Sequence, residues 1–128
     1  MGYTHFDKVS VNRFAVGPKG SEQDITAGSV ELTATAAVSA GVQSVELNHV
    51  STAIAATIAD AADHAGLFVV KDTSASGTAP HTLTLTAGTF DGVNNVATLN
   101  APKEALIVYF DSVGNGTILA NVGSVALS

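Results

Sequence analysis

Apolar and polar residues alternate with a period of two along most of this chain, the spacing of strands with one buried face. The pattern is clearest over residues 81–99, where Thr82, Thr84 and Thr86 alternate with Leu83, Leu85 and Ala87. Asp91-Gly92 suits a tight turn, and Val96 to Leu99 read as the returning strand. Strict two-residue pairing would set Leu85 against Thr98 and mix apolar with polar residues on one face, which a half-buried sheet disfavours. An extra residue at Gly88 restores the match, pairing Leu85 with Ala97, Leu83 with Leu99 and Thr84 with Thr98. A longer, odd-numbered loop from Asp91 to Asn94 or Asn95 is the alternative.

Other strands follow the same logic. Val30, Leu32 and Ala34 alternate with Glu31, Thr33 and Thr35, and Val45-Glu46-Leu47 opens another strand. Residues 51–62 fit two patterns. Ile54 and Ile58 lie four apart with Ser51 as a possible cap, as in a helix, but Ile54, Ala56 and Ile58 also alternate. The reading leans to a strand through Ile58 and then a turn or short helical turn over 60–64. Leu67-Phe68-Val69-Val70 is a continuous apolar run, expected of a strand buried on both faces. Residues 105–110 form the most apolar strand, and 117–120 and 124–128 supply two more. Short strands with turn signals about every ten residues predict an all-β fold: a single-domain antiparallel β-sandwich or jelly-roll-like barrel.

Residues 1–22 break the pattern. Tyr3, Phe6, Val9, Val11, Phe14 and Val16 are irregularly spaced among Asp7, Lys8, Asn12 and Arg13, before Gly17-Pro18-Lys19-Gly20 interrupts the chain. Residues 1–22 therefore read as an N-terminal arm and 23–128 as the β-rich domain. Val9-Ser10-Val11 suits an edge strand, and docking on a neighbouring subunit would bury the aromatic rings equally well, each worth about 1.5–3 kcal/mol. Val125 and Leu127 place an apolar strand at the last residues, which needs a sheet or a partner subunit to hold it. The expected interface is accordingly Tyr3, Phe6, Val9, Val11, Arg13, Phe14, Val125 and Leu127.

Composition narrows the function classes. The 128 residues contain no cysteine and no tryptophan, so neither disulfides nor thiolate metal sites are available. Charged residues are 12% of the chain, against about 25% in an ordinary domain, which suits repeated protein–protein packing. The net charge is −6, with three of the five cations in the first nineteen residues, so the body is strongly acidic. Nucleic acid is an unsuitable partner for it. No apolar run approaches a membrane span of about 18 residues. No secretory signal is recognisable, and Phe6 breaks the myristoylation pattern that Met1-Gly2 begins.

Candidate chemistry is thin. Asp60 and His64 would share a face of a helical turn, with His49 or Asp72 as distant further metal ligands, but a solvated turn accounts for them better. Asp91, Asn94 and Asn95 resemble a calcium loop only loosely, lacking its closing Glu, and turn chemistry suffices. His5, His49, His64 and His81 have no nucleophile in a Gly-x-Ser-x-Gly elbow beside them, and His81 is expected to pack or bond backbone. Gly114-Asn115-Gly116 lacks the remaining glycine of a nucleotide fingerprint. No catalytic, metal or cofactor site is expected.

Several segments resemble a recurring module of tailed-bacteriophage virion proteins. They are residues 71–79, His81-Thr-Leu-Thr-Leu85, Gly88-Thr-Phe-Asp-Gly92, Asn95-Val-Ala-Thr-Leu-Asn-Ala101, Glu104-Ala-Leu106 and Asn121-Val-Gly-Ser-Val-Ala-Leu-Ser128. The arm over 9–22 is similar in style to those of capsid decoration (cement) proteins. The resemblance implies a non-enzymatic homotrimer, made in the host bacterial cytoplasm and seated on the outer surface of the capsid, where it clamps major capsid protein subunits. The alternative is a domain of a head or tail fibre or adhesin that binds a host receptor or glycan.

Overall fold

The computed structural model describes residues 13–15, 22–24 and 28–128. Arg13–Ala15 (β1) and Glu22–Asp24 (β2) pair antiparallel as a two-stranded ribbon, which crosses the expected boundary between arm and body. The remaining strands are Ser29–Leu32 (β3), Ala36–Ala37 (β4), Ser44–Leu47 (β5), Ala55–Ile58 (β6), Gly66–Asp72 (β7), His81–Leu85 (β8), Val96–Leu99 (β9), Ala105–Phe110 (β10), Gly116–Val122 (β11) and Ala126–Leu127 (β12). They form two five-stranded sheets, sheet I in the order β11-β10-β7-β5-β3 and sheet II in the order β12-β9-β8-β6-β4.

The all-β expectation holds, but the sheets are mixed rather than antiparallel throughout. From β3 to β8 each successive strand joins the opposite sheet, so β3, β5 and β7 run parallel in one while β4, β6 and β8 run parallel in the other. Parallel neighbours need a crossover, usually a helix. Here a strand of the facing sheet serves, and that strand buries its own apolar face in the same core. From β8 onward the chain closes by antiparallel pairs, β8 with β9, β10 with β7 and β11, and β12 with β9. A jelly-roll-like barrel presupposes antiparallel pairing all through, which the first six body strands do not follow.

The core lies between the two sheets and is built from the alternating positions. Along β8 His81, Leu83 and Leu85 are buried while Thr82 and Thr84 face outward, and along β6 Ala56 and Ile58 are buried while Ala55 and Thr57 are exposed. Three phenylalanines occupy the centre of one end, with ring centroids of Phe68 and Phe110 5.5 Å apart and those of Phe90 and Phe110 6.1 Å apart. The edge of His64 meets the Phe68 ring at 5.6 Å.

The run Leu67-Phe68-Val69-Val70 departs from expectation. Phe68 and Val70 are fully buried, but Leu67 is 60% exposed and Val69 half-buried, because nothing among the described residues covers the outer face of sheet I. Residues 51–64 resolve as β6 followed by a single 3-10 turn over Ala61–His64, capped by Asp60, whose carboxylate accepts the Ala62 N–H at 3.0 Å. The strand predicted to run from Val30 toward Thr35 stops at Leu32, and the chain passes to sheet II at β4.

The hairpin of β8 and β9 keeps the predicted parity but moves the register by two. Leu83 pairs with Ala97, Thr82 with Thr98 and His81 with Leu99. No single-residue bulge closes it. Leu85 N–H still bonds Asn95 O at 2.8 Å and Phe90 N–H bonds Asn94 O at 2.7 Å, so residues 86–89 leave the ladder together. This excursion is held by Thr86 N–H on Ile58 O, Ala61 N–H on Ala87 O and Thr89 N–H on Gly114 O. Gly88 sits at its apex with φ +102°, and a Cβ there would lie 2.6 Å from both the Ala61 methyl and Gly114 O. Glycine is required here, though for joining the two sheets rather than for adjusting one hairpin.

Candidate docking surface

The outer face of sheet I is the most apolar exposed region of the described chain. Side chains on β7, β10 and β11 alternate in and out, and those opposite the core form rows across the strands: Leu67 beside Tyr109, Val69 beside Ile107 and Ala120, Lys71 beside Ala105 and Val122. Register slips by one between Ile107 and Val108, so Leu119 is the residue left over in a bulge on β11. Leu67, Leu119, Val122 and Tyr109 are 60%, 54%, 49% and 48% exposed. They are four of the seven large apolar side chains exposed among the described residues, and the others, Val50, Val93 and Val113, stand on loops. Lone exposed apolar residues are ordinary, but adjacent ones on one sheet face mark an interaction surface.

Charge frames this surface. Glu31 and Glu46 stand on outward positions of β3 and β5, and Lys71 pairs in register with Glu46. The outer positions of sheet II are different: Thr82, Thr84, Thr98, Thr57 and Ala55 are small and carry no charge.

The sequence-derived interface residues are dispersed. Tyr3, Phe6, Val9 and Val11 lie outside the described residues. Arg13 and Phe14 belong to β1, paired in register with Asp24 and Gln23. Val125 is 5% exposed within the core, and Leu127 packs partly buried against it. The terminal strand is therefore held by β9 of its own chain, helped by the Asn121 side chain, which bonds both the N–H and the carbonyl of Val125 at 2.8 Å. The surface residues Leu67, Tyr109 and Leu119 are absent from the expected set. Tyr109 was legible as the polar-tipped position of the alternating run Ile107-Val108-Tyr109-Phe110, whereas Leu119 depends on a bulge.

One buried polar cluster has the residue types of hydrolytic chemistry: Asp72, Ser74 and His81, all at most 6% exposed. Its geometry is that of a clamp. The Ile54 N–H donates to His81 Nδ1 at 3.0 Å, so the ring carries its proton on Nε2, which faces His49 O at 3.0 Å, Ser74 Oγ at 3.3 Å and Asp72 Oδ2 at 4.0 Å. A relay triad needs the carboxylate and the nucleophile on different ring nitrogens. Here one nitrogen faces both and the other is taken by backbone. Ser74 N–H donates to Asp72 Oδ1 at 2.8 Å, and Ser74 Oγ donates to His49 O at 3.1 Å. The cluster ties the loop after β5 to the loop between β7 and β8.

The remaining candidates are turn chemistry. His64 is buried with Nδ1 donating to Val42 O at 2.6 Å, and Asp60 caps the helical turn, so the two do not converge on a common point. Among the described residues no group of three or more histidines or carboxylates is placed to hold a metal ion. The Asn94 N–H, the Asn94 side-chain amide and the Val93 N–H all donate to Asp91 and hold its carboxyl below the ordinary value of 3.8. The Asn115 N–H, with that of Val113, does the same for Asp111. Among the described residues no helix is long and apolar enough to cross a membrane. Comparison with known proteins finds no matching family, no matching curated protein and no matching solved structure.

Proposed function

We propose that this chain is a non-enzymatic structural protein of a tailed-bacteriophage virion. In this reading it is a head decoration (cement) protein, a homotrimer on the outside of the capsid that stabilises contacts between major capsid subunits. The observation that carries the reading is the apolar face of β7, β10 and β11, uncovered among the described residues, in a chain with few charges, a surface suited to permanent packing against protein. The sequence resemblance supports it from another side. Its segments fall on the end of β7 and the loop after it, β8, the excursion around Gly88, β9, the start of β10, the end of β11 and the terminal strand. Leu67, Tyr109 and Leu119 lie outside those segments and Val122 lies within one, so the resemblance and the exposed face are largely separate lines of support.

The test is binding to capsids stripped of the protein. Saturable binding that raises the capsid's melting temperature is expected. A strict monomer that does not bind such capsids overturns the reading. A second reading, a fibre or adhesin domain that binds a host receptor or glycan, has Tyr109 in its favour, the exposed aromatic ring among the described residues. Clear hits on a glycan array would replace the first reading with this one.

A further inference from the structure

Two dipeptides of this chain are chemically fragile. Asn115-Gly116 is its single Asn-Gly pair and Asp91-Gly92 its single Asp-Gly pair. In each, the glycine nitrogen can attack Cγ of the preceding side chain, because a residue without Cβ leaves that nitrogen unhindered and bends freely. At Asn115 the N–Cγ bond forms, the Cγ–Nδ2 bond breaks, and ammonia leaves with the glycine proton. Water then opens the succinimide at either carbonyl, leaving aspartate or isoaspartate. At Asp91 the protonated carboxyl loses water in the first step and regains it in the second, so only the linkage changes.

The fold requires both glycines. A Cβ at Gly116 would collide with Phe90 O and lie 2.6 Å from Thr89 O, and Gly92 has φ +90°. Both are instead tied to one residue, Thr89. Its carbonyl accepts the Gly116 N–H at 2.8 Å, and its hydroxyl accepts the Gly92 N–H at 3.0 Å. The Thr89 N–H also donates to Gly114 O at 3.1 Å, so Thr89 brackets Asn115 from both sides. A glycine nitrogen whose proton is held in this way must break that bond before it can attack. The Asp91 carboxylate is held as well: Oδ1 accepts the Asn94 and Val93 N–H groups at 2.7 and 3.0 Å, and Oδ2 the Asn94 side-chain amide at 2.8 Å. These bonds keep the carboxyl below its ordinary value and so ionised, which makes it the poorer electrophile.

We propose that Asn115 and Asp91 are latent modification sites, kept closed by Thr89 and exposed to succinimide formation when this corner of the sandwich opens locally. The change at Asn115 is one-way. Isoaspartate there inserts a methylene into the main chain between Gly114 O and the Gly116 N–H, the two groups that Thr89 spans. It also sets a new carboxylate beside that of Asp111, which accepts the Asn115 N–H at 2.9 Å. The bridge cannot then re-form as it was.

The test is to age the purified full chain at neutral pH and follow both positions by peptide mapping and mass spectrometry. Wild-type protein in buffer should change at Asn115 and Asp91 about tenfold more slowly, or better, than in urea, because reaction waits on local opening. The variant T89V keeps the side-chain shape and both main-chain bonds but loses the hydroxyl. It should speed the change at Asp91 about three- to tenfold, the worth of one hydrogen bond, and leave Asn115 at the wild-type rate. T89S, which keeps the hydroxyl, should restore the wild-type rate at Asp91, with circular dichroism checking the fold of each variant. Equal rates at Asn115 in buffer and urea overturn the proposal, and that comparison holds whether or not the variants fold. An unchanged Asp91 rate in T89V overturns it too. So does equal acceleration at both positions, which assigns the effect to general loosening rather than to the hydroxyl.

Discussion

His81 shows how a residue with catalytic potential becomes structural. Its two nitrogens are spent on the Ile54 N–H and His49 O, and both His81 and Ile54 are buried. His81→Ala should cost about 3 kcal/mol in urea unfolding, through a buried unpaired amide and a cavity, with His81→Asn losing less. Gly88→Ala should cost about 2–4 kcal/mol, since a methyl at φ +102° would press on Ala61 and Gly114 O. A loss under 0.5 kcal/mol would mean that the excursion over 86–89 is not formed as described. Asp91 and Asp111 have folded-state values lowered from 3.8, so their loop hydrogen bonds contribute stability above that value. The contribution is lost as pH falls through the lowered values, below 3.8. Amide shifts of Val93 and Asn94, and of Val113 and Asn115, should titrate together with their Asp at midpoints under 3.8. A midpoint at or above that value contradicts the caps.

At the scale of elements, alternation was legible wherever one face meets the core. It located β3, β5, β6, β8 and β9, while a continuous apolar run marked β10, and a turn or short helical turn was expected over 60–64, where Ala61–His64 forms one. It did not reveal β4, because two alanines carry no pattern, nor the parity-preserving shift in the β8–β9 register, which depends on contacts of residues 86–89 with Ile58, Ala61 and Gly114. The run at Leu67 was misread for a related reason. A continuous apolar stretch signals two apolar faces, but whether both are covered is decided by neighbours the stretch does not contain. Substitution separates the two faces of β7. Phe68→Ala should cost about 3–5 kcal/mol, whereas Leu67→Ser should stay within about 0.5 kcal/mol in the free single chain. A large loss at Leu67 under dissociating conditions would mean that its face is covered within one copy.

For the whole molecule, alternation of successive strands between sheets makes a sandwich whose first half coils and whose second half closes by hairpins. The single core accounts for the buried apolar residues, including the terminal Val125. Among the described residues it leaves over the apolar face of β7, β10 and β11. Sequence alone did not reveal the face, since Leu67, Tyr109 and Leu119 come together only through sheet order. The account's central claim is that this face packs between copies in the proposed homotrimer, so that the protein acts as an assembled surface. Light scattering of the purified full chain over a wide concentration range tests it most directly. The account predicts three times the chain's mass at high concentration, falling on dilution to one. A single-chain mass at every concentration would contradict it.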